Sequence, residues 1–566
     1  MHHFRRLVGL VLLALLLLCS VSYASEDAGE EARAKAAIET FLRSYAEEAL
    51  LYTDTDQRVC TISDPALALS GEDASQLLTL SGGEADLAQM RDNIALIEKK
   101  AAFYAAARQM QNIFREDLRL TYTYRELELG ENTGYASVTE NAGFRYTDSV
   151  RCSVYETIYS VDLVKLAGQW LVASATDGSQ FDADHPTAAD FDVQAALEEL
   201  HAALEAEACT VIYPLSWAEK AGKAGSGQIP YHGEHAAAYA YTYARQYAGQ
   251  PCEAFYSPQF ESYAGRGGDC MNFASQCMWA GFGGSQTAAA IDSHDVPMDT
   301  AGETVWFGRG PAAGSKVKNT LSWISCSSFR KYLTGTADGL GMTGSNASAE
   351  PGMYATILHV SAGSPLSGVT AAELVGAVAH VEGVGGAHAH AIVLTAATGT
   401  RRSEIWFCSH TKDMTHIKLG DYYLGPIKVY IPRYLRTSGP SGSAIHPDRI
   451  PPALVSDSAA LGFRCGEAQY SMTVTVTAPG KTEGVSSSVS QTDSCAMELQ
   501  FETPGLYRVD CSAQPTETAA VNKRTFYVRC LESPAEEQGA DAVPGPEVPA
   551  WLFSKEEEIA PPASGN

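Results

Sequence analysis

The sequence is short of positive charge. Its 40 Lys and Arg residues stand against 67 Asp and Glu residues, which gives a net charge of -27 at neutral pH. Such a charge repels polyphosphates and anionic lipid, so nucleic acid is not an expected partner. The chain of 566 residues also exceeds what one hydrophobic core supports. We expect roughly three or four domains.

Long apolar runs are scarce as well. After the first residues, no stretch reaches the ~20 apolar residues that cross a bilayer. The one long run, LVGLVLLALLLL at residues 7–18, follows Arg5 and Arg6 and precedes small residues up to Ala24. This pattern is typical of a secretory signal peptide, and an uncleaved anchor is the alternative. We expect residues 1–24 to be removed and the mature chain to be secreted, without further membrane contact.

The 13 cysteines include no CxxC pair. In a secreted chain some of them should form disulfides. Cys60 and Cys152 could close the N-terminal region, and an even C-terminal set could form two bridges. That set is Cys465, Cys495, Cys511 and Cys530. The spacing alone does not determine which cysteines pair.

Changes in hydrophobic pattern divide the N-terminal part of the chain. Two helical patterns, at 25–52 and 86–111, precede segments in which apolar and polar residues alternate. Helices followed by a β-meander predict an α+β domain over residues 25–185. It is similar to the NTF2-like (nuclear-transport-factor-like) domains of exported bacterial proteins. A helix and linker are expected over 186–228.

The rest of the chain predicts two further domains, which makes the fold class multidomain α+β. Residues 229–437 combine Ala- and Tyr-rich helices with strands near 390–396, 404–409 and 427–432. Short alternating strands over residues 455–532 predict an immunoglobulin-like β-sandwich. The Pro-, Glu- and Gly-rich tail at 533–566 is expected to be disordered.

The segment GDCMNFASQCMWAG, residues 268–281, predicts a helix that begins beside a cysteine. Gly268 allows a sharp entry, and Asp269 is a suitable N-cap. Cys270 would then occupy the first helical position, where the helix dipole favours thiolate over thiol. Backbone N–H groups there can also bind an oxyanion. Cys270 is therefore the candidate nucleophile, with a half-buried core cysteine as the alternative.

Histidines that could serve such a thiolate follow in GGAHAHAIVLTAATGT, residues 385–400. His388 and His390 alternate along a predicted strand and face the same way. The next strand, EIWFCSHTKD, ends at His410. This order predicts His390 as the base and His410 as the group that orients it. We expect His388 and His416 to be ordinary core or surface imidazoles.

Residues 236–281 resemble an exported bacterial family described as a "putative amidase domain". The family combines a Tyr/Ala-rich helix with the motif Asp-Cys-Thr-Asn-Phe-Val-Ser-Gln-Cys. Trp306, the Ser322-Trp323 pair, the HAIVL strand and the Ser409-His410-Thr411 triplet fall where the family has similar features. The resemblance covers about 200 residues, as judged by motif matching. The family resembles the CHAP and NlpC-type hydrolases, which implies a papain-like central domain whose Cys-bearing helix packs on an antiparallel sheet.

The resemblance implies a cysteine hydrolase that cuts amides in peptides or peptidoglycan at the bacterial cell envelope, without a cofactor or metal. Cys270 would be the nucleophile, His390 the general base and His410 the polar third member. From its position on the nucleophile helix, Asn272 is expected to be structural, and Tyr263, just upstream of the glycine turn, could lean over the oxyanion site. The Pro-Gly-Asp turn of the family is missing before the histidine strand, which leaves His388 as a possible base.

The sequence leaves two alternatives to a cysteine hydrolase open. The first is a zinc enzyme that uses His388, His390 and His410 with Cys408 or Asp413, because His-x-His is a usable pair of ligands. No HExxH or CxxC motif accompanies that pair. The second is an exported binding or adhesive protein whose amidase-like domain is catalytically inert.

Overall fold

A computed structural model gives the structure of most of the chain. The expected signal peptide and tail, together with Cys60, His388 and Cys465, lie outside the residues that it describes. The described residues are 29–46, 84–149, 151–166, 168–178, 181, 184–214, 227–247, 250, 252–265, 267–286, 306–309, 319–335, 352–382, 389–437, 446–449, 458–464, 470–492, 494–515 and 521–530.

The described helices are mostly short. They are α1 (29–46), α2 (Glu84–Met110), α3 (Val193–Glu205), α4 (Gly233–Tyr243), α5 (Cys252–Phe255), α6 (Asp269–Gly281), α7 (Leu321–Ile324), α8 (Cys326–Thr334), α9 (Ala371–Leu374) and α10 (Leu419–Tyr422). None of the helices in this described part is both long and apolar enough to cross a bilayer.

The chain forms two compact units. The first contains the described residues up to Met110 together with Leu120–Asn141 and Thr157–Glu198, and the second contains the remainder. In the first unit, helices α1 and α2 precede an antiparallel meander of four strands. The strands are β1 (Arg115–Leu129), β2 (Thr133–Tyr146), β3 (Cys152–Leu166) and β4 (Gln169–Thr176), and one end of each of the first three belongs to the second unit.

Apolar spacing explains the core of the first unit. Ile38, Phe41 and Leu42 recur at helical intervals along α1 and are fully or almost fully buried. They share one core with Val161 and Trp170 of the meander. The first unit thus contains helices followed by a meander, and the NTF2-like topology stays a prediction.

The second unit contains an antiparallel sheet. Its strands lie in the order β3-β11-β10-β9-β8-β12-β7-β5, with β6 also paired to β12. The bounds are β5 (Cys209–Ile212), β6 (Gly227–Pro230), β7 (Gly352–Val360), β8 (Val378–Glu382), β9 (Ala389–Ala397), β10 (Ile405–Ser409), β11 (Met414–Lys418) and β12 (Ile427–Thr437).

Both faces of this sheet are covered, which explains why its strands are apolar throughout rather than alternating. Every residue of β10 is buried. Ala391 and Val393 of β9 belong to the core that contains helices α4 and α6, whereas Ile392 and Leu394 belong to a second core. Helices α4 and α6 pack against each other and against β9. A helix that bears Cys270 therefore lies on an antiparallel sheet.

The C-terminal strands form two further antiparallel sheets around one apolar core. Leu461 and Phe463 of the smaller sheet share that core with Val474, Val509 and Phe526 of the larger one. The immunoglobulin-like topology stays a prediction. The strands are β13 (His446–Arg449), β14 (Ser458–Arg464) and β17 (Ser494–Gln500) in one sheet, and β16 (Val485–Thr492), β15 (Tyr470–Thr477), β18 (Gly505–Pro515) and β19 (Asn522–Cys530) in the other.

The cysteines do not follow the disulfide expectation where the structure describes them. Cys152, Cys495 and Cys511 are free thiols. The thiol of Cys530 instead contacts the carbonyl oxygen of Phe501 at 3.9 Å. Burial raises the pKa of the Cys511 thiol, so this group is held in its neutral form inside the core. The even count of C-terminal cysteines was thus a poor guide, because apolar cores also accept cysteine as a small hydrophobe.

Candidate active site

Helix α6 begins one residue earlier than the sequence suggested. The helix spans Asp269–Gly281, and Gly268 occupies the N-cap with a left-handed φ of 83°. The prediction that Asp269 caps the helix is therefore wrong. Because Gly268 already makes the sharp entry, Asp269 lies in the first turn and directs its carboxylate elsewhere. Cys270 is the second helical residue, still within the turn whose N–H groups are unsatisfied.

Gly268 is required at this entry by two independent constraints. Its φ is one that residues with a side chain rarely adopt, and an added Cβ would lie 2.7 Å from the carbonyl oxygen of Ile324. We expect Gly268→Ala to destabilise the protein by about 1–3 kcal/mol, since the left-handed strain and the backbone clash add. Chemical unfolding followed by tryptophan fluorescence would measure the change in the free energy of unfolding.

The neighbouring glycine provides a matched control for that substitution. Gly267 also has a positive φ, 76°, but no atom lies within 4 Å of a Cβ built on it. Gly267→Ala should therefore show only the conformational cost, about 1 kcal/mol. Equal losses for the two variants would contradict a role for the Gly268–Ile324 contact.

The thiol of Cys270 lies in a nearly closed environment, with 9% of the residue exposed. A hydrogen bond with the Cys326 side chain has the largest effect on the pKa of this thiol and lowers it. Burial opposes that effect, and hydrogen bonds from His390 and the Ala391 N–H reinforce it, so the pKa falls to about 4. A pKa this far below the ordinary value near 9 keeps the sulfur a thiolate at neutral pH.

The structure places His390 beside Cys270. His390 lies at the start of β9 and pairs with Val381 of β8. The adjacent residue on the strand is Ala391, whose N–H reaches the same sulfur. The Nε2 atom of His390 is buried and has no hydrogen-bond partner among the described residues.

His410 does not occupy the predicted position beside His390. Its Nε2 atom lies 2.8 Å from the carbonyl oxygen of Tyr243, and its Nδ1 atom lies 3.3 Å from Oδ2 of Asp269. Its ring is stacked between Phe273 and Tyr256, with centroid distances of 3.8 and 4.2 Å. The expected contact with His390 is not made by either nitrogen, because both face other acceptors. His410 instead holds the first turn of α6.

Asp269 is the acidic partner of that histidine. Burial alone would raise the pKa of this carboxyl, but hydrogen bonds with His410, Tyr256 and Asn272 outweigh it and lower the pKa below its usual value. Oδ2 of Asp269 faces Nδ1 of His410 at 3.3 Å, and both side chains are buried. Asp269 is thus an ionised anchor next to the nucleophile.

The two supporting residues have structural partners. Asn272 donates to the carbonyl oxygen of Glu261 at 3.1 Å and accepts from Nε1 of Trp323 at 2.9 Å. The hydroxyl of Tyr263 accepts a hydrogen bond from Nδ2 of Asn319 at 3.0 Å. Asn272 therefore fixes α6 against its surroundings, as expected. The role of Tyr263 at an oxyanion site stays a prediction.

His416, which was expected to be an ordinary imidazole, is part of the core. His416 is buried, with Tyr241 Oη 2.8 Å from its Nδ1 atom and Ser149 Oγ 2.8 Å from its Nε2 atom. Burial lowers its pKa well below the ordinary value, so it stays neutral. This agrees with the expectation of a satisfied core histidine. Across the described ranges, no group of three His, Cys, Asp or Glu side chains is arranged to hold a metal ion.

Sequence reasoning missed Cys326 and His380. Cys326 opens helix α8 directly after Ser325, whose side chain accepts from the Ser328 N–H. The sequence did contain a signal for Cys326, because a serine is a favoured N-cap and predicts a helix that begins at the next residue. The same reasoning about a helix start led to Cys270. His380 is fully buried on β8 opposite Ala391, and both of its ring nitrogens lack a partner in the described part of the chain.

A cavity lies at the same end of the sheet as His390. Its volume is about 470 Å³, and it is lined by residues 207–210, 359–361 and 426–428. Ile427 on its wall pairs with Val381, which in turn pairs with His390. Two strand spacings, about 10 Å, therefore separate this wall from the candidate base. The sheet end that carries His390 has open space beside it.

Comparisons with known proteins bear on the central segment. Residues 230–430 match the family model described as "Putative amidase domain", which agrees with the resemblance read from the motifs. The match covers less than half of the chain. No curated protein matches the chain.

The solved structures that align with the chain are distant. An engineered protein is 18% identical over 17% of this chain and 21% of that chain, with a TM-score of 0.14. A calcium-binding mutant of Bacteroides uniformis beta-glucuronidase 2 is 12% identical over 27% of this chain and 23% of that chain, with a TM-score of 0.11. The chain thus spans about a quarter or less of these structures, and similarities of this size carry no argument.

Proposed function

We propose that residues 230–430, which match the family model described as "Putative amidase domain", are the catalytic domain of a cysteine-dependent amide hydrolase. One observation carries the proposal. The thiol of Cys270 lies in the first turn of a helix and contacts His390 from a separate strand. A thiolate beside an imidazole is the arrangement that nucleophilic acyl transfer requires.

The proposed reaction has two stages. The Cys270 sulfur attacks the carbonyl carbon of an amide, and N–H groups at the start of α6 are oriented to receive the developing oxyanion. His390 protonates the leaving amine, which leaves an acyl-thioester on Cys270. Water that has given a proton to His390 then attacks the thioester carbon, and the acid departs as the thiolate returns.

Several contacts support this geometry by fixing helix α6. Asp269 meets His410 on one side of the first turn, and Asn272 and Ser275 meet Trp323 on another. Nucleophiles work best when their supporting groups leave them little freedom, because a displacement of about 1 Å can cost 10²-fold in rate. The buried Asp269–His410 pair is thus proposed to position Cys270 without touching the substrate.

We further propose that the enzyme is exported and that it acts on amides in peptides or peptidoglycan. The N-terminal pattern favours export, and the charge of -27 disfavours anionic polymers such as nucleic acids. Peptides or the stem-peptide amides of peptidoglycan are substrates of suitable chemistry for an exported amidase. The Cys-bearing helix on an antiparallel sheet supports a papain-like central domain.

The pH dependence of thiol alkylation tests the nucleophile. The folded-state pKa of Cys270 lies below that of an ordinary thiol, so the thiolate persists above about pH 4 and is lost as the pH falls through that value. We expect iodoacetamide to label Cys270 at a nearly constant rate from pH 8 down to about pH 5. Mass spectrometry of the Cys270 peptide would give the rate, and amide hydrolysis should disappear in parallel with labelling.

Cys209 provides an internal control in the same molecule. This cysteine is partly exposed, and burial raises the pKa of its thiol. Its labelling should therefore fall by about tenfold for each unit of pH decrease. If Cys270 showed the same steep profile, or reacted more slowly than Cys209 at neutral pH, an inert binding protein would be the better description.

A further inference from the structure

A second thiol lies beside the candidate nucleophile. Cys326 is the first residue of helix α8 and is buried, with 8% of the residue exposed. Its side chain is hydrogen-bonded to the side chain of Cys270. The two cysteines come from different helices and share one core. The proposed hydrolase reaction does not use Cys326.

Backbone and side-chain contacts hold the two helix starts together. The Ser275 hydroxyl donates to the carbonyl oxygen of Trp323 at 2.8 Å, and the Trp323 indole donates to Asn272 at 2.9 Å. The carbonyl oxygen of Ile324 approaches Gly268 so closely that a side chain there would clash. The segment that leads into Cys326 is therefore fixed against the first turn of α6, so the meeting of the two sulfurs is built into the packing.

The two sulfurs differ in their chemistry. Cys270 is the thiolate. The pKa of Cys326 is raised well above the ordinary value, because Cys326 is hydrogen-bonded to Cys270 and is buried. A reactive thiolate next to a protonated thiol is the arrangement of an attacking and a resolving cysteine. Two other buried thiols, Cys277 and Cys408, do not form such a pair of unlike thiols, because burial raises the pKa of both.

We propose that Cys270 and Cys326 form a reversible disulfide when a hydroperoxide oxidises the protein, and that this disulfide switches the nucleophile off. The basis for the disulfide is the packing of the segment before Cys326 against Gly268, together with the interaction of the two thiols. Only its consequence for hydrolysis rests on the proposed function. Cys326 is thereby assigned as a resolving thiol that protects Cys270 from irreversible oxidation.

The chemistry balances in two steps, with hydrogen peroxide as the oxidant. The Cys270 thiolate attacks one peroxide oxygen, the O–O bond breaks, and hydroxide leaves. This step oxidises Cys270 to a sulfenic acid by two electrons and reduces the peroxide. Cys326 then loses its proton and attacks the Cys270 sulfur. The S–O bond breaks, water leaves, and the S–S bond forms. A dithiol reductant reverses the oxidation by thiol–disulfide exchange.

The test uses the full chain, treated with hydrogen peroxide and then with dithiothreitol. In the wild type we expect a non-reduced peptide pair that joins Cys270 to Cys326, with a mass lower by two hydrogens. Iodoacetamide labelling of Cys270 should fall by on the order of tenfold or more and return after reduction. In Cys326→Ser, Cys270 should proceed to the sulfinic acid, and labelling should not return. Cys209→Ser, which removes a thiol outside the site, should behave as the wild type.

Two results would overturn the inference. One is a wild type in which the cross-linked pair never forms, and the other is equal, irreversible oxidation of Cys270 in the wild type and in Cys326→Ser. The wild-type measurement decides the matter even if the variant fails to fold. A disulfide without any hydrolysis by the reduced protein would remove the proposed function alone. Hydrolysis without the disulfide would remove this inference alone.

Discussion

Replacing Cys270 with alanine is expected to lower amide hydrolysis by on the order of 10⁴-fold or more, because no acyl-thioester can form without the sulfur. The side chain is small and nearly buried, so the fold should survive the change. The measurement is the release of amines from isolated bacterial cell-wall material and from peptide amides, with wild type and variant at equal concentration.

Cys209→Ala is the matched control for this prediction. It removes a thiol from β5, and three strands, β8, β12 and β7, lie between β5 and the His390 strand β9 in the sheet. The control should retain the wild-type rate. Equal amine release by Cys270→Ala and the wild type would remove Cys270 from the reaction and, with it, the cysteine mechanism.

The second large effect is expected for His390→Ala. Loss of the proton carrier should lower kcat/KM by roughly 10²–10⁴-fold. The same change should raise the pKa of Cys270, because the hydrogen bond and the charge of His390 both contribute to lowering it. The plateau of iodoacetamide labelling should therefore end at a higher pH than in the wild type. A residue that was merely structural would not move that profile.

His388 is the alternative base, and its substitution discriminates between the two. His388→Ala should leave both the rate and the labelling profile nearly unchanged if His390 is the base. A large loss in His388→Ala together with a wild-type rate in His390→Ala would exchange the two assignments. The presence of a chelator should not alter either result, since the proposed mechanism uses no metal ion.

Local patterns in the sequence were sufficient to predict many elements. The start of α6 is encoded by glycines followed by a run of small and apolar residues, and all of its 13 residues are buried. β15 was recognisable because its apolar residues alternate with polar ones, and its burial alternates in the same way. By contrast, eight of the nine residues of β7 are buried, so the strand offered no alternation by which to find it.

Contacts between segments that are distant in the chain were harder to predict from the sequence. His410 follows a strand next to that of His390, which suggested an orienting pair, yet its ring faces Asp269 and Tyr243. The sequence fixes the neighbours of a residue along the chain, but the packing of several elements decides where its ring points. The same limit applied to the C-terminal cysteines, where an even number suggested bridges and the core retained thiols.

The sequence by itself determined that Cys270 lies in the first turn of a helix and that His390 lies on a strand, because helix entry and strand alternation depend on residues a few positions apart. Only the tertiary structure decided that these two side chains meet, that Asp269 binds His410 instead of capping the helix, and that Cys326 touches the nucleophile. Those contacts depend on how α6, α8 and β9 pack around one core, and the energy of that packing is spread over residues far apart in the chain.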